Sequence, residues 1–91
     1  MSAKHYNITV TGKVQGVFFR QSTMEKAREL ELKGFVRNEA NGDVYLEAEG
    51  SDEKLEELVK WCRQGPSRAR VERVNVSEGE LKNFADFIIK R

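Results

Sequence analysis

Residues 6–30 read YNITVTGKVQGVFFRQSTMEKAREL, and a change of period inside this stretch decides the fold. Tyr6, Ile8 and Val10 alternate with Asn7, Thr9 and Thr11, the period of a half-buried strand. From about Ser22 to Lys33 the composition turns to Met, Ala, Leu, Glu, Lys and Arg, with Met24, Ala27 and Leu30 at helical spacing. Ser22 and Glu25 have capping-box spacing, although the first turn is open to starting a few residues earlier, and Gly34 is expected to end the helix. Between strand and helix lies GKVQGVFFR, residues 12–20. A junction with two glycines, two phenylalanines and an arginine asks for an explanation beyond a plain turn.

Outward from this unit the punctuation is regular. Phe35 to Asn38 reads as a second strand, and Asn41-Gly42 as a hairpin, because both residues accept positive φ. Val44 to Glu49 is the third strand, with Val44, Leu46 and Ala48 on one face. Gly50-Ser51-Asp52 breaks it and caps a second helix, striped by Leu55, Leu58, Val59 and Cys62 and stopped by Gly65-Pro66. A fourth strand runs from about Arg70 to Ser77, and the phase slip from Val71 to Val74 predicts a bulge. Glu78 to Asn83 reads as a loop, and Phe84 to Ile89 as a short final strand. The order β-α-β-β-α-β predicts one α+β domain over residues 1–91. It is a ferredoxin-like sandwich, a mixed, largely antiparallel sheet with both helices on one face.

That plan gives the junction a purpose. The first and second strands run parallel through a right-handed crossover, so their C-terminal ends share one edge of the sheet. Arg20 and Asn38 are then neighbours although distant in sequence. The helix start beside them carries unpaired N–H groups and partial positive charge. Glycines let successive N–H groups converge on one point. Gly16 lets backbone approach a ligand closely, Arg20 offers a guanidinium fork that matches phosphate oxygens, and both phenylalanines are expected to anchor the loop on the core. Such an assembly binds a phosphate-like dianion, with the Asn38 carboxamide next to it.

Bulk properties narrow the setting. Among 91 residues 38% are hydrophobic and 34% charged, enough for one core under a highly charged surface and unlike a disordered chain. The net charge of +1 supplies no strong field to attract nucleic acid or a membrane. A single cysteine excludes an internal disulfide and fits a reducing compartment. The opening MSAKHYNITV has no apolar segment of signal-peptide length, and no run approaches the roughly 20 apolar residues of a membrane span. A cytoplasmic monomer is expected.

The chain closely resembles the acylphosphatase family. The family's glycine-led loop VQGV-x-F-R is present as Val14 to Arg20, and its aromatic strand ending in Asn as Gly34 to Asn38, followed by Asn41 to Val44. The Glu49-Gly50 and Gly65-Pro66 pairs also match the family. Asn41 stands where many members carry Asp, and Phe35 where Trp is common. The resemblance implies hydrolysis of the carboxyl-phosphate anhydride of a small acyl phosphate, with no metal, no cofactor and no phosphoenzyme. It implies that Arg20 binds the phosphoryl group and Asn38 orients the attacking water. The backbone of Gln15, Gly16, Val17, Phe18 and Phe19 forms the phosphate cradle.

Rival readings are weaker. Cys62 to Arg68 fits C-x5-R, the pattern of thiolate phosphatases, but Cys62 completes the apolar stripe of a helix and Pro66 removes an N–H that such a loop needs. His5, the only histidine, reads as a surface residue at a strand start. Lys60, Arg63, Arg68, Arg70 and Arg73 read as a solvated face paired with nearby glutamates, or else as an attraction for anionic substrates. A non-catalytic phosphate-ligand or RNA-binding module on the same plan would stack bases across the open sheet face, where Tyr45 is the one aromatic beside Glu47 and Glu49. A carbamoyl phosphate domain of a larger enzyme would bring further domains.

Overall fold

The structure, a computed structural model, describes residues 3–91. The element order is β1 (Lys4–Lys13), α1 (Phe19–Glu29), β2 (Lys33–Asn38), β3 (Val44–Gly50), α2 (Asp52–Gln64), β4 (Arg70–Gly79) and β5 (Phe87–Ile89). The sheet order is β4-β1-β3-β2-β5, antiparallel except for the β2–β5 pair at the edge. With β3 antiparallel to both neighbours, β1 and β2 run parallel and end on the same edge, as the plan requires. Ile8, Val10, Val36, Val44, Leu46 and Ala48 meet Leu55, Leu58 and Cys62 of α2 and Ala27 of α1 in one core, all with no exposed surface. Truncating a Leu here to Ala costs about 2–5 kcal/mol.

Helix α1 differs from expectation at both ends. It starts at Phe19, three residues before Ser22, and the capping box is not formed. Its N-cap is Phe18, in the left-handed conformation (φ 63°) with no side-chain cap. Ser22 lies a turn inside, its N–H bonded to the Phe18 carbonyl at 3.0 Å. At the other end the helix stops at Glu29 rather than Lys33. Glu31 takes the positive φ (60°), and the N–H groups of Glu31 and Leu32 bond back to the carbonyls of Arg28 and Ala27. That is a Schellman closure without glycine, sealed by buried Leu32. Gly34 therefore does not cap the helix. It sits in β2 at φ 152°, where a Cβ would overlap the carbonyl of Glu47 on β3. Helix α2 follows its signals: Ser51 accepts from the Lys54 N–H, and Gly65 turns the chain at positive φ.

The expected bulge is present. The β1–β4 register slips between Thr11, opposite Arg73, and Gly12, opposite Val71, leaving Glu72 unpaired. Strand β4 runs on to Gly79, and β5 is only Phe87–Ile89. The segment between them crosses the open face of the sheet. Glu49 accepts from the backbone N–H groups of Lys82 and Phe84, and the Phe84 ring meets Phe35 edge-on at 5.8 Å. This cover corrects the reading of His5 as a surface residue. His5 is buried beneath Phe84, with Nδ1 2.7 Å from Glu49 Oε2 and Nε2 3.0 Å from Glu47 Oε1. Glu47 is further held by Tyr45 Oη (2.6 Å) and Lys82 Nζ (3.0 Å).

Candidate active site

The loop after β1 is pinned at both shoulders. Val14 and Val17 are buried, and Phe19 packs in the core with its ring 5.5 Å from Trp61. Pressed down there, the chain between must turn outward, and it does so through left-handed backbone at Gly16 (φ 74°) and Phe18 (φ 63°). No atom lies within 4 Å of a Cβ built on Gly16, so glycine is needed there for conformation and for ligand approach, not for want of room. Phe18 departs from expectation: only Phe19 anchors the loop, while Phe18 is 72% exposed.

The result is a loop with unused donors. Among the described residues, the backbone N–H groups of residues 15–21 make no hydrogen bond to another protein group. They lead into the start of α1, whose first turn carries no acidic residue to satisfy them. A cavity of about 330 Å³ opens beside them, lined by Val14, Gly16, Phe18, Phe19, Arg20, Gln21, Asn38, Ile89 and Arg91. No carboxylate side chain lines it. Arg20 is half-buried and, among the described residues, forms no ion pair or hydrogen bond. The Asn38 side chain likewise has no bonded partner, and its amide atoms are not sealed from solvent.

Arg20, Asn38, Gly16, Phe18 and Phe19 are thus brought to one cavity, as expected for them. Gln15 and Val17 do not line it. Val17 faces the core, and the Gln15 side chain turns to the β2–β3 connection, where Nε2 donates to the carbonyls of Glu39 (2.8 Å) and Asp43 (2.9 Å). Ile89 and Arg91 escaped the sequence reading. The signal was the run Phe87-Ile88-Ile89, strand-like but too short to show that it would pair in parallel with β2 and deliver the chain end to this cavity.

The decoy is excluded by its surroundings. Cys62 is fully buried, and burial pushes its thiol up to about 12, so it is no nucleophile near neutral pH. Lys60, Arg63, Arg68, Arg70 and Arg73 are exposed and, contrary to the pairing expected, form no ion pairs among the described residues. No helix among the described residues is long and apolar enough to cross a membrane.

Comparison with known proteins agrees with this fold. The family model described as Acylphosphatase matches residues 6–89. An acylphosphatase of Marinobacter nauticus is 46% identical over 88 residues, covering 96% of each chain. The solved structure of an acylphosphatase from Coxiella burnetii superposes with a TM-score of 0.94 at 42% identity, covering 97% of this chain and 93% of the other. That of Bacillus subtilis gives 0.94 at 32% identity, covering 97% and 99%. A shared architecture, a shared length and a family match across almost every residue lead to one conclusion: the chain belongs to the acylphosphatase family.

Proposed function

We propose that residues 1–91 act as one catalytic domain that hydrolyses acyl phosphates to carboxylate and inorganic phosphate, with Arg20 and Asn38 as its working side chains. The observation that carries the assignment is a set of unpaired donors beside a cavity free of carboxylate side chains: the N–H groups of Gly16, Phe18, Phe19, Arg20 and Gln21, the Arg20 guanidinium and the Asn38 amide. A phosphoryl dianion is the ligand such a set lacks. Arg20 and the loop amides hold the three equatorial oxygens, and Asn38 holds a water in line with the bond from phosphorus to the bridging oxygen.

The step balances without a nucleophilic side chain. The water oxygen forms a bond to phosphorus as the bond from phosphorus to the bridging oxygen breaks. The carboxylate leaves with the electron pair, and the water proton passes to a phosphoryl oxygen. A carboxylate is already a good leaving group, so positioning and charge stabilisation supply most of the catalysis. The acyl group faces the mouth of the cavity, beside exposed Phe18. A cytoplasmic monomer without a nucleic-acid partner fits the same reading. The sheet face that a base-stacking module would use carries Glu47 and Glu49 and lies under the segment between β4 and β5.

The test is the loss of benzoyl phosphate absorbance with purified protein in EDTA, beside Arg20→Ala and Cys62→Ser. Turnover by wild type and Cys62→Ser but not Arg20→Ala is the expected result. A well-folded wild type that leaves benzoyl phosphate intact would reduce the cradle to a binding pocket.

A further inference from the structure

We infer that the Gln15 side chain is a positioning residue, a tether that sets the distance between the phosphate cradle and Asn38. Gln15 belongs to the cradle by sequence, yet it does not line the cavity, and its carboxamide reaches the β2–β3 connection instead. Nε2 spends both its protons on main-chain carbonyls, Glu39 at 2.8 Å and Asp43 at 2.9 Å. Both partners are acceptors, so only the nitrogen can face them, and the orientation of the amide is fixed. These two carbonyls close the β2–β3 connection, where the Glu39 N–H also bonds to the Asp43 carbonyl at 2.8 Å. Glu39 is peptide-bonded to Asn38, and Asn38 pairs with Val44 at the last rung of the ladder. One side chain therefore ties the loop that carries the free N–H groups to the strand end that carries the Asn38 amide.

No other hydrogen bond among the described residues links residues 14–21 to residues 38–43. Without the tether, the cradle keeps its amides and Arg20, and Asn38 keeps its strand. What is lost is the register between them. Phosphate binding depends on the first half alone. In-line attack by a held water depends on both, and displacements of about 1 Å cost up to about 10²-fold in rate. The tether therefore acts on kcat more than on phosphate affinity.

This inference rests on the proposed acyl phosphate hydrolysis, and the experiment separates the two. Gln15→Met keeps the length of the side chain and removes both donors. The expected result is a kcat lowered about tenfold or more, with the inhibition constant of inorganic phosphate changed less than about threefold. In an Asn38→Ala background the same substitution should cost no more than about twofold, because the group it positions is gone. Gln15→Glu adds a readout that mere destabilisation would not move. Its carboxylate repels both carbonyls, whereas the protonated acid donates to one of them, so its kcat relative to wild type should recover as pH falls through the carboxyl range. An active wild type with a normal kcat in Gln15→Met, or full multiplicative loss in the double variant, overturns the tether and leaves the hydrolase reading standing. An inactive wild type overturns the hydrolase reading itself.

Discussion

Two polar clusters of this protein use similar groups and reach opposite states. On the open face of the sheet, His5, Glu47, Glu49, Tyr45 and Lys82 bond to one another and to the N–H groups of Lys82 and Phe84, so the buried side-chain atoms are all partnered. At the edge where β1 and β2 end, Arg20, Asn38 and the loop N–H groups stand beside a cavity with no protein partners among the described residues. The saturated cluster fastens the segment between β4 and β5 to the sheet. The unsaturated one holds the groups on which the proposed hydrolysis rests. Buried polarity that answers itself is architecture, and polarity left unanswered at a cavity is function.

Substitutions can break that contrast. Arg20→Ala should show the largest effect, a loss of roughly 10³-fold or more in kcat/KM, while the unfolding free energy stays within about 0.5 kcal/mol of wild type because no internal partner is abandoned. Steady-state kinetics beside denaturant titration checks both halves. Glu49→Ala should do the reverse. It strips acceptors from His5 and from two backbone N–H groups and should cost about 3 kcal/mol of stability, with turnover per folded molecule preserved. Equal effects of both substitutions on activity would erase the distinction.

The saturated cluster should also report on pH. Burial by itself would raise the Glu49 carboxyl. The Lys82 and Phe84 N–H groups and His5 outweigh burial and hold the carboxyl below the usual value. Glu47 is lowered in the same way by Tyr45, Lys82 and His5. Carboxyls that are more acidic in the folded state add stability above about pH 4.3, and that stability is lost as pH falls from there through their folded values. Denaturant titrations from pH 6 to pH 3 should show this loss, and Glu49→Gln should flatten it.

Smaller effects sharpen the other side. Asn38→Ala should lower kcat on the order of 10²-fold without a comparable change in the phosphate inhibition constant. Phe18→Asn should raise stability by about 0.5 kcal/mol, since Asn accepts left-handed backbone more readily and a ring that is 72% exposed contributes little burial. Thermal unfolding is sensitive enough to see it.

Most of the residues that meet at the candidate site could be read in the sequence because they are of narrow use. Glycine at 16, a guanidinium at 20 and Asn38 at a strand end say where they belong once the strand order is known. What failed to show was set by tertiary context. Phe18 and Glu31 take the left-handed positions that glycine or asparagine usually marks, so the cap of α1 and its stop were misread. Gly34 looked like a helix stop and proved to be a point of close strand approach. His5 looked exposed because nothing in the charged stretch of residues 80–86 announces that it will fold back over the sheet.

The sheet order also sets a timescale. Strand β1 lies between β3 and β4, with Lys4 opposite Gly50 and His5 opposite Gly79, so this first strand must find partners from the middle and the far end of the chain. Only β2 and β3 meet across a short hairpin. Long loops must close before most contacts are rewarded, which puts refolding in the millisecond-to-second range rather than among microsecond folders. The expected order is the β2–β3 hairpin first and the docking of β1 after it. Stopped-flow mixing would detect that wait, and the cavity at the edge where β1 and β2 end is incomplete until it is over.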